Sequence, residues 1–294
     1  MVSSLLFPNE HVFIDHGSES LHIDHSSIQD FAMTHTSPAT YLERLFGLQG
    51  KTAVVIGGTG VLGGAICDTL AQAGAYVYVV GSNQNAGQAV VDRWPAQATF
   101  FRADASRRED LERLVEHLKT HGRNCDVLVN GAGVNAAVPF LDITDEDWDR
   151  ILRVNLGAVR VACQVLGGFM LATETAGSII NVASLSAITP LSRVFTYSAS
   201  KAAVLNLTQN LAREWAPQKI RVNAISPGFF PAEQNRKILT QDRVSKIMGH
   251  TPMNRYGDPE ELSGAILLMA ANVAGSFLTG ANIVVDGGFT AMTI

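Results

Sequence analysis

Between residues 52 and 73 the chain passes from a short, mostly β-branched run through a glycine cluster into a helical-looking stretch. The run is Thr52-Ala53-Val54-Val55-Ile56, and the cluster is Gly57-Gly58-Thr59-Gly60-Val61-Leu62-Gly63-Gly64. Gly74 closes the helical stretch and a second strand-like run, Tyr76–Val80, follows. Strand, glycine loop, helix, strand is a βαβ unit. Glycines at such a turn let the backbone bend sharply and approach a pyrophosphate. The helix N-terminus adds N–H donors and positive potential. Gly57, Thr59, Gly60, Val61, Leu62 and Gly63 are therefore candidates for holding a dinucleotide, and an ordinary strand–helix turn is the plain alternative.

The alternation continues along the chain. Strands are expected at Thr99–Arg102, Val127–Asn130, Ser178–Val182, Ile220–Ile225 and Ile283–Val285. Helices are expected at Val61–Ala73, Arg107–Thr120, Asp145–Leu171, Thr196–Trp215 and Glu260–Ala271. No break separates two domains. The pattern predicts an α/β fold: one doubly wound Rossmann-type domain with a seven-stranded parallel sheet and helices on both faces. Ligands of such sheets bind outside the carboxyl ends of the strands.

The remaining chemistry lies further on. Tyr197 and Lys201 are spaced by four, which on a helix stacks phenol and ammonium on one face. A nearby cation favours phenolate and would pull the Tyr197 pKa down from the usual value of about 10. A tyrosine so poised can exchange a proton with an alcohol or carbonyl oxygen. Taken alone the pair reads as an exposed helix face, so its neighbours must decide.

Composition narrows the partners. With 294 residues, 47% hydrophobic and 17% charged, the chain can bury a large core. A net charge of −5 argues against a nucleic-acid partner. No uninterrupted apolar run reaches the roughly 18 residues of a membrane helix, so no membrane partner is expected. Cys67, Cys125 and Cys163 lack metal-ligand spacing and are expected as buried thiols of a cytoplasmic protein. Residues 1–45 read as a flexible or non-native leader and 46–294 as the NAD(P)-binding catalytic domain. The leader holds five of the eight histidines. His16, His22, Asp24 and His25 are its sharpest metal-site candidates, but His-rich tracts without a folded frame rarely build one, and no metal is expected.

From about Leu48 onward the chain resembles the short-chain dehydrogenase/reductase family. The glycine loop departs from the family's Thr-Gly-x-x-x-Gly-x-Gly: Ile56 stands where Thr is usual and Val61 where the middle glycine is usual, with Gly60 a candidate to take over its role. Asp104-Ala105 resembles the adenine-contacting segment. Asn130-Gly131-Ala132-Gly133 resembles the strand end that supports the cofactor. Asn155, Ser184, Tyr197 and Lys201 match the catalytic tetrad. Pro227-Gly228, followed by Phe230, matches the turn beside the nicotinamide, and Val285-Asp286-Gly287-Gly288 resembles the C-terminal signature.

The resemblance implies hydride transfer between a nicotinamide and a carbonyl or alcohol carbon. Tyr197 is then the general acid or base, Lys201 lowers its pKa and holds the nicotinamide ribose, Ser184 bonds the substrate oxygen, and Asn155 anchors a water leading to Lys201. Cofactor candidates thus include Asp104, Ala105, Asn130, Ala132, Gly133, Tyr197, Lys201, Pro227, Gly228 and Phe230. At the end of the second strand, Gly81-Ser82-Asn83 lacks the carboxylate that would repel a 2′-phosphate. It also lacks the arginine that often follows in NADP-preferring relatives. With Ser82 and Asn83 as small hydrogen-bonding residues, the choice within NAD(P) leans to NADP.

The segments Pro190–Val194, Phe229–Arg236 and Thr251–Gly257 resemble the D-mannonate oxidoreductase and gluconate dehydrogenase group. The physics suits a sugar acid, because guanidinium groups bind carboxylate through paired donors. Arg193 and Arg236 are candidates for that contact, and Asn135, Ser186, Gln234 and Asn235 for the hydroxyls. Two rivals remain: a reductase of an acyl-carrier or quinone-type carbonyl, and a cofactor-sensing protein without turnover. The family commonly forms homodimers or homotetramers by pairing long helices, for which Ala202, Ala203, Leu207 and Leu211 are candidates.

Overall fold

The computed structural model describes residues 37–230 and 241–292. Residues 1–36 lie outside it, and with them the His-rich tract; so do Gln234, Asn235 and Arg236. One compact unit spans Pro38–Ile294. It opens with a helix, α1 (Pro38–Phe46), ahead of the boundary expected at 46. The end of α1 is held to the domain by the Ala274 N–H donating to the Leu45 carbonyl at 3.2 Å.

Seven parallel strands follow: β1 (Thr52–Ile56), β2 (Tyr76–Gly81), β3 (Ala98–Arg102), β4 (Val127–Asn130), β5 (Ser178–Val182), β6 (Arg221–Pro227) and β7 (Asn282–Val285). Their order is β3-β2-β1-β4-β5-β6-β7, so the winding reverses between β1 and β4. The helices after α1 are α2 (Val61–Gln72), α3 (Gln84–Val91), α4 (Arg108–Thr120), α5 (Asp145–Ala172), α6 (Phe195–Trp215), α7 (Gln241–Gly249) and α8 (Ser263–Ala270). Of these α3 and α7 escape the sequence reading. The α3 segment Gln84–Val91 carries Gly87 and only a short apolar stripe, and it forms because Asn83 caps it, its Oδ1 accepting from the Ala86 N–H at 3.1 Å.

Side-chain alternation along each strand builds two cores. Val54, Ile56, Tyr78 and Val80 face Leu111, Leu114, Ala162, Leu166 and Val204 of α4, α5 and α6. Ala53, Val55, Val77 and Val79 face Ile66, Leu70, Ile266 and Met269 of α2 and α8. The period of two is what a sheet covered on both faces requires. Leu207 and Leu211 lean on the first core, whereas Ala202 is exposed.

Helix α5 is 28 residues long and apolar enough, by length and composition, to cross a bilayer. No uninterrupted apolar run marks it in the sequence, because charged and polar residues such as Arg150, Arg153 and Arg160 interrupt it. Its apolar side belongs to the core, through Ala158, Val159, Val161, Ala162 and Leu166. The helix is a core helix of this domain, and two π turns, Arg153–Gly157 and Cys163–Gly167, interrupt it. All three cysteines are free and buried, and desolvation pushes each thiol up from its ordinary value.

Candidate active site

At the β1–α2 turn, backbone and side chains compete for very little space. Gly57 has φ +80°, and a Cβ there would sit 2.6 Å from the Ala132 nitrogen. A Cβ on Gly63 would lie 2.0 Å from the Gly57 carbonyl oxygen. Both positions thus demand glycine. Gly60 is the N-cap of α2 and is not sterically forced, since a Cβ there meets nothing closer than 3.5 Å. Val61 opens the helix with its side chain 46% exposed, so the departure at 61 leaves the tight turn intact. No side chain caps α2, and no acidic residue occupies its first turn. Its N–H groups and positive end are therefore available to a phosphate, and the turn fits a dinucleotide.

The strand ends supply the rest. Asn130 closes β4, and its Nδ2 donates to Asn181 Oδ1 at 2.8 Å, whose own amide donates to Thr208 at 2.9 Å. This buried chain ties β4, β5 and α6 together, while Asn130 Oδ1 has no partner among the described residues. A Cβ on Gly133 would lie 3.4 Å from Asn155 Oδ1 and 3.5 Å from Lys201 Nζ, so this glycine stands beside two of the expected catalytic residues. Asp104 is exposed, with Oδ1 accepting from the Ser106 N–H and hydroxyl at 2.9 and 2.7 Å; Ala105 beside it is buried. Pro227 ends β6. Gly228 donates to the Val285 carbonyl at 2.8 Å and lies so close to Asp286 that a Cβ would meet its Cα at 2.6 Å. The Asp286 carboxylate accepts from the Gly288 and Thr290 N–H groups at 2.9 and 2.8 Å. The C-terminal glycines thus brace the Pro227-Gly228 turn.

The four expected catalytic residues come from three elements. Tyr197 and Lys201 lie on the first turns of α6, with Lys201 Nζ 5.8 Å from the Tyr197 ring centroid. Ser184 follows β5 and stands close enough to Tyr197 for its hydroxyl to favour the phenolate. Asn155 sits in the first π turn of α5, fully buried. Its Oδ1 accepts from the Val134 N–H at 2.8 Å, and its Nδ2 donates to the Val134 carbonyl at 2.9 Å and to Ser200 Oγ at 3.1 Å. Both Nδ2 protons are thereby used. The side chain clamps the loop after β4 to α6, and any water leading to Lys201 would have to use another atom.

Two residues that the sequence reading left aside or assigned otherwise hold this set. Ser200, one residue before Lys201, accepts from Asn155 Nδ2 and donates to the Tyr197 carbonyl at 2.6 Å. Nothing in its sequence context distinguishes it from Ser198. Ser186, expected at substrate hydroxyls, is buried; its N–H and hydroxyl donate to Ser184 Oγ at 3.2 and 3.1 Å. It orients Ser184.

The electrostatics differ from the sequence expectation. Burial pushes the Tyr197 phenol above its ordinary value, and the Ser184 hydrogen bond offsets part of that rise. Lys201 is itself desolvated, its pKa lowered to about 8, and it donates to the Val182 carbonyl at 2.8 Å. Desolvation outweighs the Ser184 hydrogen bond, so the phenol shifts upward rather than down, and Tyr197 holds its proton at neutral pH.

At the rim, Arg193 is exposed in a left-handed conformation (φ +67°), and its carbonyl accepts from the Val138 N–H at 2.9 Å. Asn135, three residues before Val138, keeps a buried Oδ1 without a partner among the described residues. Arg243 of α7, which the sequence reading overlooked, donates to the Ser192 carbonyl at 3.0 Å. Phe230 packs on Gly257 and lines a cavity of about 380 Å³ with Phe229, Met253, Arg255, Val285 and Asp286. None of the four expected catalytic residues lines that cavity.

Residues 59–290 match the profile of the family described as enoyl-(acyl carrier protein) reductase. The chain belongs to the short-chain dehydrogenase/reductase family. Among curated relatives of this dehydrogenase/reductase is the NAD-dependent glycerol dehydrogenase of Listeria innocua, 33% identical over 83% of this chain and 96% of the relative. Another is the 2-dehydro-3-deoxy-D-gluconate 5-dehydrogenase of Escherichia coli K12, 32% identical over 84% and 98%. Among solved structures, a gluconate 5-dehydrogenase of Burkholderia cenocepacia J2315 in complex with NADP and tartrate superposes with a TM-score of 0.81. It is 28% identical and covers 85% of this chain and 99% of its own. The short-chain dehydrogenase/reductase described here is an NAD(P)-dependent oxidoreductase acting on CH–OH groups.

Proposed function

We propose that the protein interconverts a secondary alcohol and a carbonyl of a sugar acid, of the mannonate/fructuronate or gluconate type. The observation that carries the substrate class is Arg193. It stands four residues before Tyr197, exposed, and no carboxylate lies within ion-pair distance of it among the described residues. A guanidinium so placed suits a substrate carboxylate, and the orphaned Asn135 Oδ1 suits a hydroxyl. The names of the Escherichia coli and Burkholderia relatives support the same class.

The nicotinamide, when bound, supplies or accepts the hydride. In reduction Tyr197, protonated at neutral pH, gives its proton to the substrate oxygen, and Ser184 donates to the same oxygen as charge develops. Ser186 fixes the direction of the Ser184 hydroxyl. Lys201 donates one proton to Val182 and has no other hydrogen-bond partner among the described residues, so two of its three donors are open to ribose hydroxyls. Asn155 and Ser200 hold the α6 turn that carries both residues. A homodimer or homotetramer in the cytoplasm belongs to the same proposal.

The test is a screen of sugar acids and their keto forms, read by NAD(P)H absorbance. Tyr197→Phe is expected to remove turnover while thermal unfolding stays unchanged; retained turnover would sink the mechanism. Arg193→Ala is expected to raise KM for a sugar acid about tenfold or more and to leave a neutral polyol nearly unaffected. Equal effects on both would remove Arg193 from the carboxylate site. A second reading, an acyl or other apolar carbonyl, draws on exposed Phe140 and Leu141 in the turn ahead of α5 and on exposed Phe195 at the start of α6, whose ring packs on Phe140. Activity on acyl substrates and none on sugar acids would select it.

A further inference from the structure

The end of β2 presents an unusual surface to an adenosine ribose. Gly81 carries no side chain, and a Cβ there would lie 2.7 Å from Thr59 Oγ1 and 2.8 Å from Thr59 Cγ2. The glycine loop thus occupies the space that an acidic residue at 81 would need. Ser82 and Asn83 are exposed, and Asn83 Oδ1 is committed to capping α3. Up to this point the sequence shows neither a repelling carboxylate nor a cation.

The sheet brings a cation in from the next strand. Gly81 pairs in register with Arg102, the last residue of β3. In-register partners of parallel strands present side chains to the same face. The preceding pairs obey this: Val79 and Phe100 both join the core under α2, and Val80 and Phe101 both join the opposite core. Arg102 therefore shares the face on which Thr59 covers Gly81, one strand spacing away, about 4.8 Å. It is exposed, and no hydrogen bond or ion pair engages it among the described residues.

We propose that Arg102 is the specificity determinant for a 2′-phosphate on the adenosine ribose, and so selects NADP over NAD. It takes from β3 the role for which Ser82, just after β2, has no charge. Ser82 and the Asn83 amide protons would add neutral donors beside it. This inference rests on the nicotinamide-nucleotide reading of the glycine loop.

The test uses direct binding to the purified protein. NADPH and NADH are titrated by fluorescence, and 2′,5′-ADP and 5′-AMP by calorimetry, against wild type, Arg102→Gln and Arg102→Lys. The expected result is tighter binding of NADPH and 2′,5′-ADP by wild type. Arg102→Gln should then weaken both about tenfold to a hundredfold, with NADH and 5′-AMP changed less than about twofold. Arg102→Lys should retain part of the preference. Equal weakening of phosphorylated and unphosphorylated ligands, or no weakening at all, overturns the proposal. So does a wild type that binds NADH as tightly as NADPH, which leaves the cofactor reading standing. A wild type that binds none of the four ligands overturns both.

Discussion

Lys201 and Arg221 are both cations buried near the carboxyl or amino edge of the same sheet, and neither has a carboxylate within ion-pair distance among the described residues. They are solved differently. Arg221, at the start of β6, bonds the Ala270, Ala271 and Leu278 carbonyls and Asn272 Oδ1 at 3.2–3.4 Å. Ala270 ends α8, so this guanidinium sits where the helix dipole favours positive charge. Lys201 bonds one carbonyl, Val182, and is otherwise only desolvated. Burial lowers both pKa values, but an arginine starts so high that it stays charged, whereas the lysine is brought to about 8. A saturated buried cation holds structure together. An unsaturated one carries a cost that binding or chemistry can relieve.

The contrast breaks first at Lys201. Lys201→Met is expected to cut turnover about a thousandfold. Its thermal unfolding temperature should stay level or rise, because a desolvated charge is removed from an apolar site. A large fall in that temperature would mean that the ammonium is structural, like Arg221.

Arg221→Ala is the converse test. It removes the guanidinium donor from the Ala270 carbonyl and Asn272 Oδ1, while the Ala271 and Leu278 carbonyls keep the Gly275 N–H and Asn223 Nδ2, and should cost about 2 kcal/mol of stability, read by denaturant unfolding. Turnover per folded molecule should stay within about twofold, since the residue touches none of the four expected catalytic side chains. A selective loss of turnover without a loss of stability would erase the distinction between the two cations.

The two residues were not equally legible in the sequence. Lys201 announced itself by its spacing from Tyr197 and by motifs in order around it. Arg221 reads as one more charged residue at the start of a β-branched run, because its acceptors come from about fifty residues further along the chain. The same rule separates the other outcomes. The strands, the glycine turn and the long helices follow from local period and composition. Helix α3 does not, because a single Asn83 cap and packing on β3 decide it. The phenol's upward shift is hidden from the sequence for a related reason: spacing reveals the neighbouring ammonium, but not that both groups are buried. Ser200 and Ser186 were beyond reach, since an ordinary serine becomes a clamp only when the fold brings Asn155 or Ser184 against it.

The smallest effect expected is also the most direct measure of how Lys201 differs from a satisfied cation. Its folded pKa, about 8, lies below the ordinary 10.5. Between those values the unfolded chain binds the proton that the folded chain has released, so stability contributed by this group rises with pH across that window and is flat below it. Tyr197 works against it at the upper end: its folded pKa is raised, so the native state retains the proton longer and loses relative stability above about pH 10. That contribution falls mainly above pH 10, outside the window in which wild type and Lys201→Met are compared. Unfolding free energies of the two proteins, measured from pH 7 to 10, should therefore converge in wild type's favour by on the order of 1–2 kcal/mol. A difference that stays flat through pH 8–10 would show that Lys201 keeps its charge as firmly as Arg221 does.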